Sequence, residues 1–420
     1  MNSAPPIRQE ITLTPPTQRR RGLLLSLLFA AALINYIDRG NLSIAAPILM
    51  RSFDFSLVKM GTLLSAFFWT YSLLQIPVGY LVDRYPLKFV YAGAFLLWSI
   101  ASALVGLSSS FAQIFCMRLV LGGAEAAVTP ASLAYIKRHY QTSEQGFATG
   151  IFVSGMIIGP AVGSLLGAVI LHSFGWRSLF LGTGIGSCLW LIPWLLIAPL
   201  DRSLPTTPTN AKRWVSPMRI LQPGVFLAIT LGAFFYTYYW YFCLTWLPAY
   251  LVADRGFSVL VMGELTGFPL LAMAAVTLLS ARFADRLIAS GRDPIAVRRA
   301  FICTGFVLGS SIVLLPFMAS RASVFLMLAF SLMGIGVASA NYWALSEAIC
   351  APEYTGRIIG YQNTVANIAG ISAPILTGWL VREAHSYTMA IVISGVALLI
   401  AAGSFFLVNP RPLDVPGGAI

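Results

Sequence analysis

The sequence predicts an all-α membrane protein of twelve transmembrane helices, arranged as two pseudo-symmetric six-helix bundles. Three observations carry that prediction: a charge-poor apolar composition, twelve apolar segments of spanning length, and a pattern of residues that recurs after about half the chain. Hydrophobic residues make up 58% of the 420, charged residues only 10%, and the mean hydropathy is +0.79. A soluble domain carries about 25% charged residues. Segments of about 20 apolar residues cross a hydrocarbon core roughly 30 Å thick, so lipid is the solvent for most of this surface.

Residues 1–21 hold four prolines and then Arg19, Arg20 and Arg21. The apolar run behind them continues past Asp38 with no cleavage site, so it reads as an uncleaved first helix preceded by a disordered cytoplasmic tail. The apolar segments fall near 22–49, 57–82, 87–108, 110–136, 146–171, 175–199, 222–251, 259–284, 298–319, 322–350, 356–381 and 386–408. The first six form an N-terminal bundle over 22–199, and the last six a C-terminal bundle over 222–408. Between them, 200–221 reads as a cytoplasmic linker, with Pro205, Pro208, Lys212 and Arg213. Residues 409–420 form a second cytoplasmic tail.

The distribution of positive charge orients these segments. With the N-terminus inside, 19 of the 27 Lys and Arg residues fall in cytoplasmic segments, and Arg51, Lys59, Arg177, Arg255, Arg321 and Arg382 outside. That threefold bias satisfies the positive-inside rule and puts both termini in the cytoplasm. The net charge of +12 therefore reports topology rather than nucleic-acid binding, because the basic residues lie in short clusters between apolar segments. The five cysteines all lie within apolar stretches and never form a C-x-x-C pair, which implies neither a disulfide framework nor a metal site.

A repeat divides the chain. Gly79-x-x-x-Asp83-Arg84 closes the second helix, and Ala281-x-x-x-Asp285-Arg286 closes the eighth. Pro160 in the glycine-rich fifth helix has a counterpart in Pro374 of the eleventh. Parallel halves of this kind place a substrate site at their interface near the bilayer midplane.

Together these features resemble the major facilitator superfamily. The loop Gly79, Asp83, Arg84, Lys88 matches its gating signature between helices two and three, with Pro86 where a second glycine is usual. More specific are Asn35-Tyr36-Ile37-Asp38-Arg39-Gly40-Asn41-Leu42-Ser43 in the first helix, Arg118 through Glu125 in the fourth, and Leu244-Thr245-Trp246-Leu247-Pro248-Ala249-Tyr250-Leu251 in the seventh. These segments are similar to the anion:cation symporter family, as are Gln75-Ile76-Pro77 and the Asn363 region. The resemblance implies a secondary active transporter that imports a small organic anion, a sugar acid or other carboxylate, with protons by alternating access.

The buried charges support a similar chemistry by themselves. Asp38 lies 16 residues beyond Gly22, about 24 Å along a helix, and Glu125 lies 15 residues from Ser110 on a helix entering from the opposite side, so both reach the midplane. Arg118 and Glu125, two turns apart, share one face; Asp38 and Arg39 diverge by about 100°. Charges at this depth cost at least roughly 2.5–3.5 kcal/mol each unless paired, so none of the four is expected to face lipid. One reading is a static buried network that ties helices together. The other gives the arginines an anion, which a guanidinium holds through two parallel hydrogen bonds, and gives the carboxylates a proton. A carboxylate competes for that guanidinium when ionised and releases it when protonated. By resemblance, Arg39 anchors the substrate, Asp38 and Glu125 carry protons, and Arg118 tunes Glu125.

Further candidates are Tyr36, one turn before Arg39, Tyr71, Trp343, and Asn363, whose neutral amide suits hydroxyl or carboxylate recognition. Tyr236, Tyr239, Trp240 and Cys243 recur at helical spacing in the seventh helix and read first as packing. Glu347 lies near the cytoplasmic end of its helix, as a gate pair or solvated end. Met156 stands where some sugar-acid carriers have a polar side chain, which keeps an aromatic or larger carboxylate open as the substrate. A proton-antiporting exporter would use the same fold and carboxylates. His139, His172 and His385 all lie outside the helix cores and no nucleophile or metal motif occurs, so an enzyme is not expected. No cofactor is expected, and the partners are the organic anion, protons and the lipid bilayer, with the chain acting as a monomer in a bacterial inner membrane.

Overall fold

In the computed structural model the described residues are 18–140, 142–200, 221–349 and 352–408, and no strand occurs among them. Most of both tails and the linker expected at 200–221 lie outside the described residues. The helices are α1 (Gln18–Phe53), α2 (Leu57–Arg84), α3 (Leu87–Leu107), and α4, which runs as Phe111–Glu125 and resumes as Val128–His139. Thr142–Cys188 is continuous by hydrogen bonding but breaks at Gly175, whose φ of 80° and ψ of 173° reverse the chain; the two parts are α5 and α6, and α6 resumes as Leu191–Ile197. In the second half, α7 (Pro223–Thr245) continues through Leu247–Ala249 into one π-helical turn, Tyr250–Asp254. The remaining helices are α8 (Val259–Ala289), α9 (Pro294–Gly309, tightening to a 3₁₀ turn over Ser310–Phe317), α10 (Arg321–Ala348), α11 (Pro352–Ala384) and α12 (Thr388–Phe406).

Among the described residues, eleven stretches are long and apolar enough to cross a membrane, and one of them, Ala148–Ile197, contains the Gly175 reversal and accounts for two spans. The twelve expected helices are therefore present. One boundary differs: α1 begins at Gln18, so the last arginines of the segment expected as tail belong to the helix. Arg20 and Arg21 find acceptors there, Arg20 Nε donating to the Ile197 carbonyl at 2.9 Å and Arg21 Nη2 to the His139 carbonyl at 2.7 Å.

An even number of spans puts the start of α1 and the end of α12 on one side, called here the terminal side. Across the interface between the halves, α2 meets α11 and α5 meets α8. On the far side these pairs are in backbone contact. A Cβ on Gly61 would sit 2.5 Å from the Pro374 carbonyl oxygen, and one on Gly378 2.5 Å from that of Leu57. Gly263 likewise faces the Ser164 carbonyl at 2.9 Å. Only small residues allow helices this close. A single apolar core joins the halves on that side, with Leu42, Leu63, Trp176, Tyr239, Trp246 and Met262 among its members. The N-terminal half keeps a separate core nearer the terminal side, built on Leu28, Tyr91, Phe95, Trp98 and Trp194.

Candidate functional site

The site forms where α1, α2 and α4 meet the face of α7. Pro130 removes a backbone donor and its ring clashes with the carbonyl four residues earlier, so α4 cannot continue unbroken past Ala126. The first segment ends at Glu125; Ala126 and Ala127 keep right-handed helical dihedrals, and only the regular ladder of hydrogen bonds is interrupted there, Ala127 N–H bonding the Ala124 carbonyl at 3.3 Å. Glu125 is thus buried at a break in the helix, an unfavourable place for a carboxylate without a cation. Gly122 and Thr70 bring α4 onto α2, the Thr70 hydroxyl donating to the Leu119 carbonyl at 2.6 Å.

The cation is Arg39. Its Nε donates to Glu125 Oε2 at 2.8 Å, with the Arg39 side chain 12% exposed and Glu125 fully buried. Around the guanidinium stand Tyr71 at 4.5 Å, Tyr36 at 4.6 Å and Phe67 at 4.8 Å, measured to ring centroids, within the range of cation–π attraction. The ion pair uses one edge of the fork. Both Nη groups remain for a second acceptor, and the other carboxylate oxygen, Glu125 Oε1, has no partner among the described residues.

Arg118 is buried behind this pair, 5.3 Å from the same Phe67 ring and within electrostatic range of Glu125, Arg39 and Asp38. Its Nε and Nη1 have no hydrogen-bond partner among the described residues. The sequence places Arg118 and Glu125 on one face; the structure gives Glu125 its direct bond to Arg39 instead. Asp38 points away from the guanidinium of its neighbour, as the 100° divergence requires. It accepts from Ser102 Oγ of α3 at 3.1 Å and from Asn41 Nδ2 at 3.2 Å, and Asn41 Nδ2 also donates to Thr183 Oγ1 of α6 at 2.9 Å.

From the second half, Tyr241 of α7 packs edge-on to Phe68, with ring centroids 4.3 Å apart, and lies within electrostatic range of Arg39. Gly370 of α11 leaves it room, since a Cβ there would lie 2.9 Å from the Tyr241 ring. Tyr236 stacks on Phe306 and faces Tyr342, whereas Tyr239 is wholly buried with its hydroxyl 2.7 Å from Ser331 Oγ. Asn363 reaches across the interface to Gln75, Nδ2 donating to Oε1 at 3.4 Å, a long bond. Trp343 packs edge-on to Tyr342 and is exposed.

Of the loop between α2 and α3 expected to gate, the Lys88 carbonyl accepts the Trp194 indole N–H at 3.0 Å. Gly79 and the side chains of Asp83, Arg84 and Glu347 lie outside those described. Arg138 of α4 donates to the Val82 carbonyl at 3.0 Å and ties α4 to the end of α2. In the second half, Arg298 of α9 bridges Asp285 at 2.8 Å and Asn341 at 3.0 Å.

These features coincide with a known family. A family model described as Major Facilitator Superfamily matches residues 28–374. The chain belongs to the major facilitator superfamily. Over 421 aligned residues it is 30% identical to a protein of Escherichia coli (strain K12) named "Probable galactarate/D-glucarate transporter GarP", covering 92% of this chain and 94% of that one. It is 28% identical to the "Probable galactarate/D-glucarate transporter GudP" of Bacillus subtilis (strain 168), covering 92% and 91%. Among solved structures, a bacterial homologue of the human lysosomal transporter Spinster, inward-facing and unoccupied, superposes with a TM-score of 0.80 at 19% identity, over 93% of this chain and 97% of that one. That likeness shows the superfamily fold.

Some members of the site escape a reading of the sequence. Asn41 was accessible, since Asp38 and Asn41 are one turn apart. Phe67, Ser102, Thr183 and Tyr241 have no local mark, because their neighbours at the site lie on other helices.

Proposed function

We propose that this chain imports a small organic anion, a sugar acid or other carboxylate, with protons by alternating access, as a monomer in a bacterial inner membrane with both termini cytoplasmic. The bundles over 22–199 and 222–408 are the moving units, joined by the linker at 200–221. The observation that carries this reading is the Arg39–Glu125 pair: a cation with both Nη groups unspent, held by one buried carboxylate at the meeting point of the halves. An incoming carboxylate takes the guanidinium's free edge, and protonation of Glu125 releases the rest, so that anion and proton bind together. Arg118 keeps positive charge beside Glu125, Tyr36 and Tyr71 flank the anion, and Asn363 and Trp343 line the path from the second half. The names of the two relatives support a sugar acid as the cargo. The tight far-side contacts and the separate core near the terminal side support a carrier opening on the side of its termini.

Reconstituted protein under an inward proton gradient should accumulate labelled galactarate or glucarate above its equilibrium level. Equal accumulation of a neutral sugar would remove the anion reading, and uptake driven only by the reverse gradient would make the chain an exporter. Tags at residues 1 and 420 should both report the cytoplasm; one tag outside would break the twelve-span topology.

A further inference from the structure

Tyr36 stands beside the Arg39 guanidinium, and the face of α1 that carries it continues with Gly40 and Ile44, one and two turns nearer the far side. On α7, which runs in the same direction, Tyr236 lies within electrostatic range of Tyr36, and Cys243 and Leu247 follow at helical spacing. Beyond the tyrosines these two faces do not close on each other. A cavity lies between the halves there, walled by Gly40 and Ile44 on one side and by Cys243, Leu247, Leu270 and Leu332 on the other. Its first residue, Gly40, is about 6 Å along the helix from Tyr36. A Cβ on Gly40 would meet nothing within 4 Å. Glycine weakens a helix interior relative to alanine, and on α5 the glycine at 159 is explained by contact, since a Cβ there would lie 2.6 Å from Tyr36 Cβ. Gly40 has no such neighbour; a side chain there would obstruct only the cavity. The two ends of this space differ in polarity. The cage offers the Arg39 fork and the hydroxyl-bearing rings of Tyr36 and Tyr71. In the cavity Thr266 spends its hydroxyl on the Met262 carbonyl at 2.9 Å, and the remaining polar side chains are Ser164 and Cys243, whose thiol is a weak donor.

We propose that the preferred anion is amphipathic, a carboxylate held by Arg39 with an apolar ring at its other end, and that the cavity beyond Gly40 receives that ring and selects against sugar acids of the same charge. A polyhydroxylated chain reaching from Arg39 would set its distal hydroxyls against Ile44, Leu247, Leu270 and Leu332, and a hydroxyl buried without a partner loses its hydration for nothing. An apolar ring gains by leaving water in the same place. The rings of Tyr36, Phe67 and Tyr71 around the guanidinium give it flat partners at the carboxylate end. A pocket with one charged anchor and an otherwise apolar wall fixes the orientation of such a ligand through the anchor and its affinity through the wall. The proposal rests on the anion-importer reading and narrows it to one class of carboxylate.

The test is the thermal unfolding of the purified full chain, titrated with phenylacetate, with gluconate, which carries the same single charge, and with 2-phenylethanol, which carries the ring without the charge. A ligand that binds the native state raises Tm by mass action. Phenylacetate should act at concentrations at least about tenfold below gluconate, the factor that one unpaired buried hydroxyl costs, and 2-phenylethanol should need far more than phenylacetate. Gly40→Val puts three carbons into the cavity, and it should weaken phenylacetate at least about tenfold more than it weakens acetate, which has no ring to place there. The wild-type titrations stand whether or not Gly40→Val folds. Gluconate acting at or below the concentration of phenylacetate would overturn the proposal and leave the anion-importer reading standing. So would equal losses of phenylacetate and acetate in folded Gly40→Val. Equal action of phenylacetate and 2-phenylethanol, or no shift with any carboxylate, would overturn the proposal and the anion reading together.

Discussion

In the N-terminal half, Asp38, Arg39, Arg118 and Glu125 are held at the middle of α1 and α4, all buried or nearly so. The second half presents Tyr236 and Tyr241 on α7, the counterpart of α1, and Asn363 on α11, the counterpart of α5, and its described charges lie near helix ends: Glu264 with Arg321 on the far side, Asp285 with Arg298 on the terminal side. The repeat made two similar folds; it did not make two similar sites. Charge is costly to bury, and concentrating it in one half lets four ions satisfy each other once. Aromatic rings and amides can open and close against that centre without exposing an unpaired charge to lipid.

That contrast is best broken through Arg39, the proposed anion anchor. Arg39→Lys keeps the charge and loses the planar fork, and removing a charge-assisted bond costs about 1.5–3 kcal/mol. Anion affinity should fall by about 10- to 100-fold in a ligand-induced thermal-shift titration. An unchanged affinity would move the anchor to Arg118. A smaller effect is expected from Gly159→Ala on α5, where the new methyl would lie 2.6 Å from Tyr36 Cβ and 2.9 Å from the Leu33 carbonyl. Overpacking of this kind costs about 1–3 kcal/mol. Because it displaces one wall of the Arg39 cage, both Tm and anion affinity should drop.

Changes in the second half should act differently. Trp246→Phe removes the indole N–H that donates to the Pro374 carbonyl at 2.9 Å, at the junction of α7, α11 and α2. The loss should be about 1 kcal/mol in stability, seen as a lower Tm, with ion coupling intact. Asn363→Ala gives up only a bond of 3.4 Å, and should change anion affinity by less than about threefold. A large effect of Asn363→Ala on the ratio of protons to substrate would contradict the separation of roles between the halves.

How much of this was legible in the sequence follows from the range of the interactions. The helices and their number follow from hydropathy alone, because lipid requires every span to satisfy its own backbone. Counting residues from the helix ends put Asp38 and Glu125 at one depth. What one-dimensional spacing could not give was partnership. Arg118 is the arginine on the face of Glu125, yet Arg39 forms the bond, since the break before Pro130 and the approach of α4 to α2 decide where the carboxylate points. Trp343 is followed one turn later by Glu347, but spacing does not give its packing partner, the adjacent Tyr342 ring. Tyr241, one residue from a stripe that reads as packing, reaches the centre because α7 meets α2 through Phe68.

The central claim is that Glu125 and the transported anion compete for one guanidinium. Glu125→Gln fixes that position in a neutral form that resembles the protonated acid. Reconstituted Glu125→Gln should therefore exchange labelled for unlabelled substrate across the membrane at a rate near that of the wild type, and should fail to accumulate it under a proton gradient. Full proton-driven accumulation by this variant, or loss of both exchange and accumulation in protein that remains folded, would contradict the account.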